Sequence, residues 1–140
     1  MTQEVTTFSD AFDRLASGLL TTQKTQVGSF KDFVVNIWSH SFDNPEYFNA
    51  WHVGQLAEDI EYCLENTLNY CAILPRFHFK STVLGHAFSV WSLLKSPRDC
   101  AVLYLSYSDA MARYHISEIN KAIARNYILR EWMDNRAPKA

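Results

Sequence analysis

Cys71-Ala72-Ile73-Leu74-Pro75-Arg76-Phe77-His78-Phe79-Lys80-Ser81-Thr82-Val83-Leu84 is the stretch whose reading decides the fold. Residues 70–74 form a short apolar run between the polar Asn66–Asn69 and a Pro-Arg turn, and read as a buried strand. Lys80-Ser81-Thr82 then opens a helical pattern with Val83, Leu84, Ala87, Phe88, Trp91 and Leu94 on one face. Past the Ser96-Pro97-Arg98-Asp99 turn, residues 100–105 are a second continuous apolar run, as expected of a strand covered on both faces in a parallel sheet. Ser108 or Asp109 caps a further helix carrying Ala112, Ile116, Ile119 and Ile123, which Asn126 interrupts. Two apolar runs alternating with two helices predict an α/β fold: an incomplete β-α-β-α unit with a right-handed crossover.

The layout around Lys80 is that of a phosphate-binding P-loop, placed at the end of a strand and the start of a helix. In such a loop backbone amides and the helix N-terminus hold phosphates, a Lys reaches the β/γ oxygens, and a Ser/Thr hydroxyl sits on Mg²⁺. Aligned on Lys80, the pattern G-x-x-x-x-G-K-[ST] places Leu74 and Phe79 where two glycines are usual.

Outward to the N-terminus the chain reads as helical. Phe8, Phe12, Leu15 and Leu19 fall at three-to-four spacing. Ser29 is an N-cap for a helix with the stripe Phe30, Phe33, Val34, Ile37 and Trp38, stopped at Asp43-Asn44-Pro45. A third helix from Phe48 or Asn49 carries Trp51, Val53, Leu56, Ala57, Ile60 and Leu64 inward, with Glu58, Asp59, Glu61 and Glu65 as a solvated outer face. Residues 1–66 are therefore expected as a helical segment and 67–140 as the first part of a P-loop NTPase-like ATPase domain.

Composition sets bounds. A chain of 140 residues with 48% apolar and 20% charged residues is that of one ordinary globular domain. A net charge of −2 neither demands nor excludes nucleic acid, so a DNA contact would need a local patch such as Lys121, Arg125, Arg130 and Arg136. No window reaches the length of a membrane span, and Cys63, Cys71 and Cys100, inside apolar runs, read as buried free thiols of a reducing, cytoplasmic compartment. His40, His86 and His115 lie far apart in sequence, and no Cys/His spacing suggests zinc.

Residues 74–82 resemble the variant Walker A loop, P-R-x-H-x-K-[ST], of the large terminase subunits of tailed phages. Trp51-His52 with Leu56-Ala57 and Ile60, Ala87-Phe88 with Trp91 and Pro97, and Leu105-Ser106-Tyr107-Ser108 with Ala112 resemble flanking parts of the same family. The likeness covers about residues 45–126. It implies an ATP-driven DNA-packaging motor whose partners are double-stranded DNA, a small terminase subunit and a portal. It further implies that Pro75, Arg76, Phe77, His78, Phe79, Lys80, Ser81 and Thr82 bind ATP, with Ser81 on Mg²⁺ and Arg76 as the loop arginine that stabilises γ-phosphate charge. Gln55 would contact adenine.

The chain departs from that family in two respects. Phe79 replaces a small residue, and no apolar strand ends in a Walker B acid, Asp109 being assigned to the start of the next helix. ATP·Mg²⁺ binding with negligible hydrolysis is the expectation. The alternatives are a non-enzymatic remnant or interaction module that self-associates through exposed sheet edges, and a small P-loop kinase.

Overall fold

The computed structural model describes residues 27–96 and 101–134, so the expected helix at residues 8–19, Cys100 and Arg136 lie outside the described residues. In chain order the elements are α1 (Phe30–Asn36), 3-10 turns at Trp38–Ser41 and Pro45–Asn49, and α2 (Trp51–Glu65). A π-helical segment (Ser81–Ala87) then runs directly into α3 (Phe88–Lys95), followed by α4 (Asp109–Arg125) and α5 (Tyr127–Asp134). Among the described residues no strand forms, which overturns the expected α/β class and its β-α-β-α unit: this is a helical fold. The reason lies in the backbone. A strand exists only by pairing, and neither residues 70–74 nor 101–105 pair with a neighbouring segment.

Residues 70–74 keep a strand's alternation without its ladder. Tyr70, Ala72 and Leu74 pack on the core while Cys71 and Ile73 face out, Ile73 with 93% of its surface exposed. Residues 101–105 are almost wholly exposed, with only Tyr104 half-buried.

α1 begins as expected. Ser29 accepts from the Asp32 amide at 3.1 Å and donates its hydroxyl to Asp32 at 2.8 Å, and Phe30, Phe33 and Val34 are buried. The helix ends at Asn36, earlier than the stripe suggested, and Trp38 enters the core from the following 3-10 turn. Phe30 meets Phe88 and Trp91 at 5.4 and 5.2 Å between ring centroids, joining α1 to α3 through an aromatic cluster.

α2 starts at Trp51, and Trp51 itself is 83% exposed rather than inward. Leu64 is also exposed, so the buried face is Val53, Gly54, Leu56 and Ala57. Its acidic side is more than a solvated face. Glu61 accepts from the Phe30 amide at 2.9 Å, satisfying a helix-start donor of α1, and lies 3.5 Å from Lys95 of α3. The Lys31 stem crosses Gly54 to reach Glu58 at 2.6 Å. α2 ends in a Schellman motif: the Leu68 amide bonds the Cys63 carbonyl at 2.8 Å and the Thr67 amide the Leu64 carbonyl at 3.3 Å, with Thr67 left-handed at φ 57°.

The C-terminal helices pack on the core through Ile119, Ala122 and Leu129, and one polar side chain adds a tie to the N-terminal part. Asn126, which the pattern marked as an interruption, is buried between α4 and α5. Its amide donates to the Ile37 carbonyl at 2.7 Å and to Ser41 at 3.3 Å, while its carbonyl oxygen accepts from the Ile128 and Leu129 amides. One residue thus caps α5 and ties it to the 3-10 turn of the N-terminal part.

Candidate functional site

The segment of residues 75–80 is held at both ends and open between them. Leu74 packs on the core before it, and Phe79 packs on Phe48 with ring centroids 4.9 Å apart, extending the row Trp38, Phe42, Phe48. Pro75, Arg76, Phe77, His78 and Lys80 are exposed, as is Ser81 beyond them; Thr82 is half-buried. Anchored ends with an exposed crest present the loop backbone to solvent.

The conformation of that crest is unusual. Phe77 has φ 66° and Phe79 φ 57°, so two bulky residues occupy the left-handed region natural to glycine. Each such placement costs roughly 1–2 kcal/mol. For Phe79 the burial of its ring against Phe48 offsets the cost. Phe77 is 97% exposed and gains no such contact. Phe79 stands at the second glycine position of the aligned motif, so the backbone angle the motif requires is present without the glycine.

Directly after Phe79 the chain turns helical. The Val83 amide bonds the Phe79 carbonyl at 2.7 Å, and no side chain caps the helix start, leaving its first amides open. The π-helical geometry that follows is rare, and where it occurs it often marks a functional site. Lys80 sits at the cap position of this start, where a cation is unfavourable unless an anion is near. Among the described residues neither Arg76 nor Lys80 forms an ion pair. Left-handed turns, an uncapped helix start and two cations without an ion pair among the described residues thus fall together on this exposed crest.

His78 closes the loop on itself, its Nδ1 lying 2.8 Å from the Arg76 carbonyl. A carbonyl only accepts, so Nδ1 carries the proton and Nε2 is left as the ring's acceptor. The His52 ring stands 5.4 Å from that of His78 and 5.9 Å from that of Trp51, bringing the start of α2 beside the loop. His52 Nε2 is buried without a hydrogen-bond partner. Gln55 is one turn further along α2 and gives its amide to Asp59 at 2.7 Å; among the described residues no hydrogen bond joins it to the loop.

For Mg²⁺ the chain offers little of its own. Ser81 is exposed and supplies one hydroxyl, and among the described residues no group of three or more His, Cys, Asp or Glu side chains could hold a metal. Asp109 is unavailable: Ser108 caps α4 through the Met111 amide at 3.3 Å, and Asp109 accepts from Arg113 at 2.7 Å. Among the described residues a Mg²⁺ ion at this loop would therefore find one protein hydroxyl, that of Ser81, and no carboxylate cluster.

A second cluster escaped the sequence reading. His86 and His115, distant along the chain, meet with Nε2 and Nδ1 2.9 Å apart. Burial, with the neighbouring His115 charge adding to it, holds His86 below the ordinary histidine range. The signal was its spacing: His86 falls three residues after Val83 and four before Val90, on the buried face.

No protein-family model, curated protein or solved structure matches this chain.

Proposed function

We propose that residues 75–82 form a phosphate-binding loop for ATP·Mg²⁺ of the terminase large-subunit kind, carried here on a helical scaffold. The observation that carries the reading is the left-handed backbone at Phe77 and Phe79 immediately before Lys80 and an uncapped helix start. Strain in non-glycine residues persists where the surroundings enforce it, and it concentrates at ligand clamps. The exposed Phe77 has no packing to account for its conformation.

In this reading the amides of Lys80, Ser81 and Thr82 face the phosphates, the Lys80 ammonium neutralises the β/γ oxygens, and Arg76 approaches the terminal phosphate. When bound, Mg²⁺ neutralises phosphate charge, and Ser81 contributes the chain's one oxygen. Gln55 at the adenine would have to leave Asp59. No carboxylate bonds the loop among the described residues to orient an attacking water, so binding without appreciable hydrolysis is expected. A role in DNA packaging with DNA, a small subunit and a portal, in the cytoplasm of a host cell, is what this likeness suggests.

A second reading, a non-enzymatic interaction module, is favoured by the exposure of Ile73, Phe77, Leu103, Leu105 and Tyr107. Isothermal titration with ATP·Mg²⁺ separates the two. Saturable heat that Lys80→Ala weakens by about tenfold or more supports the loop. Heat indifferent to that substitution defeats it, and a silent titration leaves the interaction module standing.

A further inference from the structure

Three elements meet around Gly85. The π-helical segment contributes His86, α4 contributes His115, and residues 101–107 contribute Tyr104. The Tyr104 ring lies 5.0 Å from that of His115 and 6.4 Å from that of His86. Its hydroxyl sits so close over Gly85 that a Cβ there would stand 2.7 Å from it. Of residues 101–107 only Tyr104 is half-buried; its neighbours on both sides are exposed. Residues 101–103 border a cavity with Leu64, Phe88 and Trp91, whereas Tyr104 is the residue of this segment whose ring rests on the histidine pair.

We infer that the His86–His115 pair is a proton-operated latch holding Tyr104, and with it residues 101–107, against the π-helical segment. In the neutral pair one ring's N–H donates to the other's lone pair. Uptake of one proton from solvent charges one ring and leaves its N–H donating to the other; uptake of two puts hydrogen on both facing nitrogens, so the bond is lost and two positive rings confront each other at contact distance. These N–H bonds are the only ones made, and raising the pH returns both protons to solvent and reforms the pair.

Among the described residues the charges that act on His86 are those of His115 and Glu118, both from α4. Glu118 favours the charged ring but is already engaged by Lys121 at 2.7 Å, with Arg125 also near it. α2, which packs on the π-helical segment as well, places no charge that acts on His86. Tyr104, its hydroxyl raised by burial, stays neutral across the range.

The sign follows from His86. Its proton affinity is lower folded than unfolded, so the folded state is favoured above an unfolded value of about 6.5 and loses ground as pH falls through the depressed folded value. The inference does not rest on nucleotide binding.

Aromatic NMR of the full chain, titrated from about pH 7.5 to about pH 5, tests it. The expected result is that the Tyr104 ring shifts move with the same midpoint as His86, below the ordinary histidine value. The Tyr104–His115 cross-relaxation seen at the upper pH should vanish at the lower. In His115→Gln, which cannot take the second proton, the Tyr104 shifts should no longer follow pH. Cross-relaxation that survives at the lower pH overturns the latch, as does a Tyr104 response unrelated to that of His86. If His115→Gln loses its helical circular dichroism, the unsubstituted titration decides alone.

Discussion

The helical core and the connecting segments 70–79 and 101–107 are written in equally apolar residues, yet they meet opposite fates. Phe30, Phe33, Trp38 and Trp91 are fully buried, whereas Ile73, Leu103 and Leu105 lie largely in solvent. The difference is in the backbone rather than the side chains. Each helix satisfies its own amides and carbonyls, so a helix can turn its apolar face inward at once. A strand-like segment has no internal solution, and without a neighbouring strand its apolar side chains are divided between the core and water. Hydrophobic content alone therefore does not determine burial.

The largest expected effect would break or sharpen that contrast directly. Phe30→Ala removes a ring packed between Phe88 and Trp91 and should cost about 3–5 kcal/mol in denaturant unfolding. Ile73→Ser and Leu103→Ser should each stay within about 0.5 kcal/mol of the parent chain. A loss of more than about 2 kcal/mol for Leu103→Ser would mean that the segment is packed, and the comparison would fail.

Asn126, between α4 and α5, is a polar residue inside the helical core. Asn126→Ala leaves the Ile128 and Leu129 amides without their partner and removes one of two donors at the Ile37 carbonyl, which keeps the His40 amide at 3.2 Å. A loss of about 2–3 kcal/mol is expected, again read by denaturant unfolding. A near-neutral result would show that water replaces the side chain and that α5 docks through Leu129 and Trp132 alone.

Much of the helical part was legible because each feature was local. Ser29 and Ser108 cap where the pattern placed them, and the stripe Phe30, Phe33, Val34 is buried as spaced. The sheet was misread because an apolar run states what a segment contains and not whether a partner strand exists. Trp51 was assigned inward from helical spacing counted from Phe48, but the helix begins at Trp51 itself, after a 3-10 turn that shifts the phase. Glu61 was read as solvated because its partners, the Phe30 amide and Lys95, come from distant parts of the chain. The loop was legible in its residue types around Lys80. Its left-handed angles were not, since one falls on Phe79, where the aligned pattern has glycine, and the other on Phe77, where it has none.

Those two angles yield the smallest and most discriminating prediction, because the two loop phenylalanines repeat the larger contrast on a small scale. Phe77 is strained and exposed; Phe79 is strained and packed. Phe77→Gly should relieve the left-handed strain with no contact to lose, and raise stability by about 0.5–1 kcal/mol. Phe79→Gly relieves the same strain but gives up the contact with Phe48, about 2 kcal/mol for a half-buried ring, so a net loss of about 1 kcal/mol is expected. Opposite signs in thermal unfolding would show that burial, and not the backbone angle, is what keeps phenylalanine at position 79. Both variants accommodate the left-handed angles, so if the loop binds phosphate as proposed, neither should weaken ATP·Mg²⁺ binding while Lys80→Ala does. If Phe77→Gly instead abolishes binding with stability intact, the exposed ring itself touches the ligand, and the loop recognises more than phosphate.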